Sequence, residues 1–141
     1  MQHRWDGGKM SISNWNVVPT VSVNGIEFGT DRSIVKKALG KPKRVFKKAS
    51  NSVNTTDAYP DYHVYYSTED KLEAIEIFGK DIHLSIDSQP IFPGPLSLAQ
   101  KSFPDLEESY GSYVSKASSV GICVEQDSIV SILLGRKDYY R

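Results

Sequence analysis

The apolar residues of this chain alternate more often than they wind. In WNVVPTVSV (15–23), Val17, Val21 and Val23 share one parity, the mark of a β-branched strand, and Pro19 assigns that strand to an edge or a bulge because it has no N–H to donate. GIEFG (25–29) reads as a short strand with Ile26 and Phe28 on one face. The period then changes. In TDRSIVKKALGKP (30–42), Thr30 or Asp31 caps a helix reaching about Leu39. Ile34, Val35, Ala38 and Leu39 form its apolar stripe, Gly40 takes the residue after the helix, and Pro42 prevents continuation. KRVFKK (43–48) is a strand candidate, and ASNSVNTTDAYP (49–60) is a polar loop by composition. YHVYYS (62–67) and LEAIEIF (72–78) pair as a hairpin around Glu69 and Asp70, and DIHLSI (81–86) is a further strand. SQPIFPGP (88–95) is a rigid loop, LSLAQKSF (96–103) a short helix ending before Pro104, and residues 105–113 an acidic turn. SVGICVE (119–125) and SIVSILL (128–134) close a second hairpin around Gln126 and Asp127.

These elements predict an α+β fold: a mostly antiparallel sheet with two short helices on one face. Residues 1–14 are expected to be a flexible N-terminal extension, and 15–141 a single domain. The expected core is Val21, Val23, Ile26, Phe28, Ile34, Leu39, Val64, Tyr66, Ile75, Ile77, Ile82, Leu84, Leu98, Ile122, Val124, Ile132 and Leu134. A length of 141 residues suits one domain that needs neither disulfide nor metal to hold its core.

The pattern also repeats. At a spacing of 56 residues, GIEFGTD (25–31) lies over DIHLSID (81–87), and YHVYYSTEDKLEAIEIFG (62–79) lies over SSVGICVEQDSIVSILLG (118–135). Two units, about 25–79 and 81–135, each read strand, helix, hairpin. The stretch GIEFGTDRSIVKKALGKP (25–42) resembles the strand, capped helix and LG-x-P exit of the fold shared by β-lactamase inhibitory protein and the outer-membrane assembly lipoproteins of the small-protein-A type. That resemblance implies a tandem α/β repeat and no particular activity. A lipobox cysteine is missing near the N-terminus, which argues against the lipoprotein branch. More loosely, size and character resemble the immunity proteins of bacterial toxin systems.

Charge changes this picture most. Lys plus Arg and Asp plus Glu are both 17, so the net charge is zero and a generic polyanion binder is excluded. The balance hides segregation. Residues 32–48 hold Arg32, Lys36, Lys37, Lys41, Lys43, Arg44, Lys47 and Lys48 and no acid, whereas residues 57–108 hold eleven acids against three lysines. In the acidic stretch, Asp57, Asp61, Glu69, Asp70, Glu73 and Glu76 intersperse with Tyr59, Tyr62 and Tyr65. Carboxylates that speed encounter and tyrosines that anchor suit an interface to a basic protein. The alternative is anion binding at Lys43, Arg44, Lys47 and Lys48, where only Phe46 interleaves to stack on bases.

Catalytic signatures are missing from the sequence. Asp81-x-His83 offers two ligands where zinc needs three or four, so neither metal nor cofactor is expected. Cys123, the one cysteine, reads as a small buried apolar residue of a reducing compartment, and the loop 89–95 either presents Ile91 and Phe92 as a rigid contact or packs across a helix start. No apolar run spans a membrane and no leader precedes the domain, so the expected location is cytoplasmic. The expected function is non-catalytic: a protein-binding module, an immunity or inhibitor protein that occludes a toxin domain. A nucleic-acid or anionic-surface binder, or a small enzyme of unrecognised chemistry, is the alternative.

Overall fold

A computed structural model describes residues 3–6, 9–52 and 54–140, with the backbone alone for residues up to 12. The described residues include fifteen strands and two helices. A hairpin of β1 (His3–Asp6) and β2 (Lys9–Ile12) comes first; the side chains of His3 and Trp5 lie outside the described residues. Then follow β3 (Asn14–Val18), β4 (Ser22–Val23), β5 (Ile26–Glu27), α1 (Arg32–Leu39), β6 (Arg44–Lys47), β7 (Thr55–Ala58), β8 (Tyr62–Tyr66) and β9 (Leu72–Ile77). The second half runs β10 (His83–Ile86), β11 (Gln89–Phe92), α2 (Leu96–Ser102), β12 (Glu107–Ser109), β13 (Ser112–Ser115), β14 (Val120–Glu125) and β15 (Ser128–Gly135).

The strands form two large sheets. One has eight antiparallel strands in the order β12-β13-β14-β15-β9-β8-β7-β6. The other has five, ordered β11-β10-β3-β4-β5, with β10 and β3 parallel. This overturns the expectation of an α+β domain with one sheet and two helices on one face: the chain is mostly β. The error lies in three segments read as loops. β7 is polar but buried, β11 accepts Pro90 because it is an edge strand, and the acidic stretch 107–115 folds as the hairpin β12–β13.

One core joins both sheets and both helices. Val64, Ile75, Ile77, Val120, Ile122, Ile132 and Leu134 line the inner face of the eight-stranded sheet. Trp15, Val17, Val23, Leu84 and Ile86 meet them from the five-stranded sheet, and Val35, Leu96, Ala99 and Phe103 from the helix segments. Trp15 stands edge-on to Tyr62, ring centroids 4.8 Å apart. Two residues expected in the core are exposed. Val21 is on the surface because 15–23 is not one strand: it turns at Thr20, whose φ is 64°, and pairs Val17 with Val23 across a hairpin. Ile34 is on the surface because α1 docks through its neighbour Val35. One further expectation fails: Cys123 is exposed, since it lies on the outer face of β14. Of the two readings of the loop 89–95, packing matches the structure, for Ile91 and Phe92 are buried.

The two halves share an order of hairpin, helix and four-stranded meander, and they meet where β9 pairs with β15. Each first hairpin turns on two residues at positive φ, Asn24–Gly25 and Asp87–Ser88, as two-residue hairpins require. Each helix docks alike on the turn of its own long hairpin. Arg32 N–H donates to Asp70 O as Leu96 N–H does to Asp127 O; Leu72 N–H donates to Thr30 O as Ile129 N–H does to Gly94 O. These bonds match Arg32 with Leu96 and Leu72 with Ile129. They do not keep a uniform shift of 56 residues.

A basic, aromatic edge on the large sheet

Among the described residues strand β6 pairs with β7 alone, so its outer side keeps backbone donors and acceptors that no described strand takes up. The register puts Arg44, Ala58, His63 and Glu76 in one cross-strand row and Phe46, Thr56, Tyr65 and Ala74 in the next. Both rows face away from the core. In the first row the methyl group of Ala58 separates two long side chains, and a shallow pocket of about 450 Å³ opens there. Lys43, Arg44, Ala58, Tyr59, Pro60, His63 and Phe78 line it.

Aromatic rings form the pocket's surroundings. His63 stands edge-on to Phe46 and to Phe78, with centroids 5.3 and 4.9 Å away. The Arg44 guanidinium covers the Phe46 ring at 4.9 Å, and Lys48 Nζ covers Tyr65 at 4.7 Å. Burial lowers the His63 pKa; the nearby Glu76 charge opposes this and Arg44 adds to it. Tyr59 is buried, donates its hydroxyl to Gly40 O at 2.7 Å, and is pushed up to about 12, by desolvation first and then by the Asp57 charge. Lys43, Arg44, Lys47 and Lys48 are all exposed, and none joins an ion pair among the described residues.

The acidic residues do not share one face. Asp57 is fully buried on the inner side of β7, where the Arg32 fork holds it: Nη2 donates to Oδ1 at 2.5 Å and Nε to Oδ2 at 3.4 Å. Arg32 also donates to Asn54, Thr55 and Asp70, and lies 4.4 Å from the Tyr66 ring centroid. Tyr59 and Tyr62 stack on each other at 4.8 Å, and Asp61 is half-buried beside them, against Gly79. Tyr65 lies on the outer face and donates to Glu76 at 2.6 Å; burial first, then this bond, raises its pKa. Glu73 pairs with Arg136 at 3.0 Å. Of the acids expected at the interface, Glu69 and Asp70 are the exposed pair; they sit on the β8–β9 turn, where Asp70 also pairs with Arg32.

The four basic residues stay adjacent along β6 and its flanks, Arg44 on the outer face of the sheet and Lys47, by strand alternation, on the opposite one. Their aromatic companions His63 and Phe78 are distant in sequence, and only strand pairing brings them to Arg44. Among the described residues no three His, Cys, Asp or Glu side chains converge on a metal-sized site, and no helix is long and apolar enough to cross a membrane. Comparison with protein-family models, curated proteins and solved structures finds no match.

Proposed function

We propose that the chain is a non-catalytic protein-binding module that inhibits its partner, a toxin domain, by occlusion, and that β6 is the edge it binds with. One observation carries this reading. A free edge strand and its two flanking residues bear four exposed cations with no carboxylate partner among the described residues, and an aromatic pocket opens beside them. A free edge recruits an extended segment through main-chain hydrogen bonds, whatever its sequence. The cations select an acidic segment and speed its encounter, and the pocket accepts a bulky side chain. The complementary surface of the partner is thus acidic; the carboxylates that favoured a basic partner are buried, paired or dispersed. The one cysteine is free, which fits a reducing cytosol.

The test is affinity capture from lysate of the source cells at low salt with three baits. These are the native chain, a Lys43→Glu/Arg44→Glu/Lys47→Glu/Lys48→Glu variant, and a Glu69→Lys variant. The reading expects one protein to be retained by the native and Glu69→Lys baits, lost by the edge variant, and inhibited when mixed with the native chain. Unchanged capture by the edge variant overturns it.

A second reading draws on the ring row Phe46–His63–Phe78, which lies beside Arg44 on the outer face of a sheet. Rings and cations in this arrangement suit single-stranded nucleic acid. Recovery of nucleic acid in place of protein, with affinity falling steeply in salt, selects that reading.

A further inference from the structure

We propose that the segment recognised by β6 is a free C-terminus: an acidic tail ending in an aromatic or bulky aliphatic residue. The inference rests on the reading of β6 as the binding edge and names the ligand for it. It follows from direction. β6 runs from Arg44 to Lys47, and its one neighbour β7 is antiparallel to it. A tail added antiparallel on the free side enters at Lys47 and leaves at Arg44. Its last residue then comes to Lys43 and Arg44, which flank the mouth of the pocket.

Three features converge at that point. Lys43 and Arg44 are exposed cations with no carboxylate partner among the described residues, so a terminal carboxylate meets charge that is not already neutralised. The pocket volume of about 450 Å³ lies within the range of small-ligand sites and exceeds what one aromatic side chain fills. Its lining includes Tyr59, His63, Phe78 and the small Ala58, which leaves room for an apolar group. A tail added in parallel would bring its N-terminal end to the same two cations. Its terminal carboxylate would then lie at Lys47 and Lys48, away from the pocket that receives the last side chain. At the far end of the strand Lys47 and Lys48 face the acidic residues that precede the terminus.

The experiment uses three N-acetylated peptides of alternating glutamate and threonine that end in phenylalanine. One has a free C-terminal carboxylate. The second is its C-terminal amide. The third is an amide with one additional glutamate at the N-terminal end, which restores the charge. Binding is followed by the backbone amide resonances of residues 44–47 and the ring resonances of His63. The inference expects the free acid to bind at least about tenfold more tightly than the charge-matched amide. It expects Lys43→Glu/Arg44→Glu to remove that preference, and Ala58→Leu, which fills the pocket, to weaken the phenylalanine-ended acid while leaving the cations in place. The charge-matched amide binding within about twofold of the acid overturns the terminal-carboxylate inference and leaves the edge reading standing. If none of the peptides shifts residues 44–47, the edge reading falls with it.

Discussion

Arg32 decides more about this molecule than any other single residue. Its position at the first turn of α1 brings its guanidinium to Asp57, and every N–H direction of the fork finds an acceptor there: Asp57, Asn54, Thr55 or Asp70. The second half of the molecule has no such pair. Leu96 docks where Arg32 does, and Tyr113 faces Ile122 across its ladder as Asp57 faces Val64. The fold therefore accepts apolar residues at these positions, while a lone charge there is costly. Arg32→Ala leaves Asp57 buried without its partner and should destabilise by about 3–5 kcal/mol in urea unfolding. Arg32→Leu with Asp57→Tyr, copying the second half, should lie much closer to the native stability. A double variant as unstable as the single one contradicts this account. Asp70 adds a pH dependence. A hydrogen bond from Asn54, then the bond and charge of Arg32, hold its pKa below the ordinary value. A depressed folded-state pKa contributes stability that is full above the unfolded value near 4 and is lost as pH falls through the folded one. Asp70→Asn should therefore flatten the acid limb of the urea midpoint against pH; an unchanged limb refutes the linkage.

At the scale of elements, the C-terminal residues illustrate what glycine does on a sheet surface. Tyr139 and Tyr140 fold back on the outer face of the large sheet over Tyr65, Ala74 and Leu133. A methyl group at Gly135 would come within 2.7 Å of Tyr139 Cβ, which is fixed to backbone, whereas one at Gly121 would meet the far end of the Tyr140 side chain. Gly135→Ala should therefore destabilise by roughly 1–3 kcal/mol, and Gly121→Ala by clearly less, in thermal or urea unfolding. Equal effects would contradict this packing. The same scale shows what could be read from the chain. Helix α1 with Gly40 behind it, the hairpins β8–β9 and β14–β15, and helix α2 follow from local period and breakers, because their own residues determine them. β7 was hidden for the opposite reason. Thr55, Thr56, Asp57 and Ala58 look like a loop, and they form a buried strand only because Arg32, 25 residues earlier, neutralises Asp57. β11 was hidden by Pro90, whose missing N–H an edge strand tolerates. The binding edge was half legible: its cations are contiguous, but His63 and Phe78 join them through pairing that no local window contains.

For the whole molecule, the segregation of charge along the chain becomes something different in space. The acidic segment dissolves into a buried ion pair, surface pairs and turns. The basic segment stays together, since β6 is an edge and an edge strand with exposed lysines is free of neighbours that would neutralise it. Attraction to the partner should accordingly weaken with salt, and the association rate should fall more than the dissociation rate rises. Charges acting at long range from the β8–β9 turn instead would show in a slower association of Glu69→Lys. Amide hydrogen exchange of the free chain and of its complex with the captured partner tests the central claim most directly. The account predicts new protection at Arg44–Lys47, the strand whose outer amides are open in the free molecule, with the β8–β9 turn unchanged. Protection at Glu69 to Glu73 with β6 exchanging as before would contradict it.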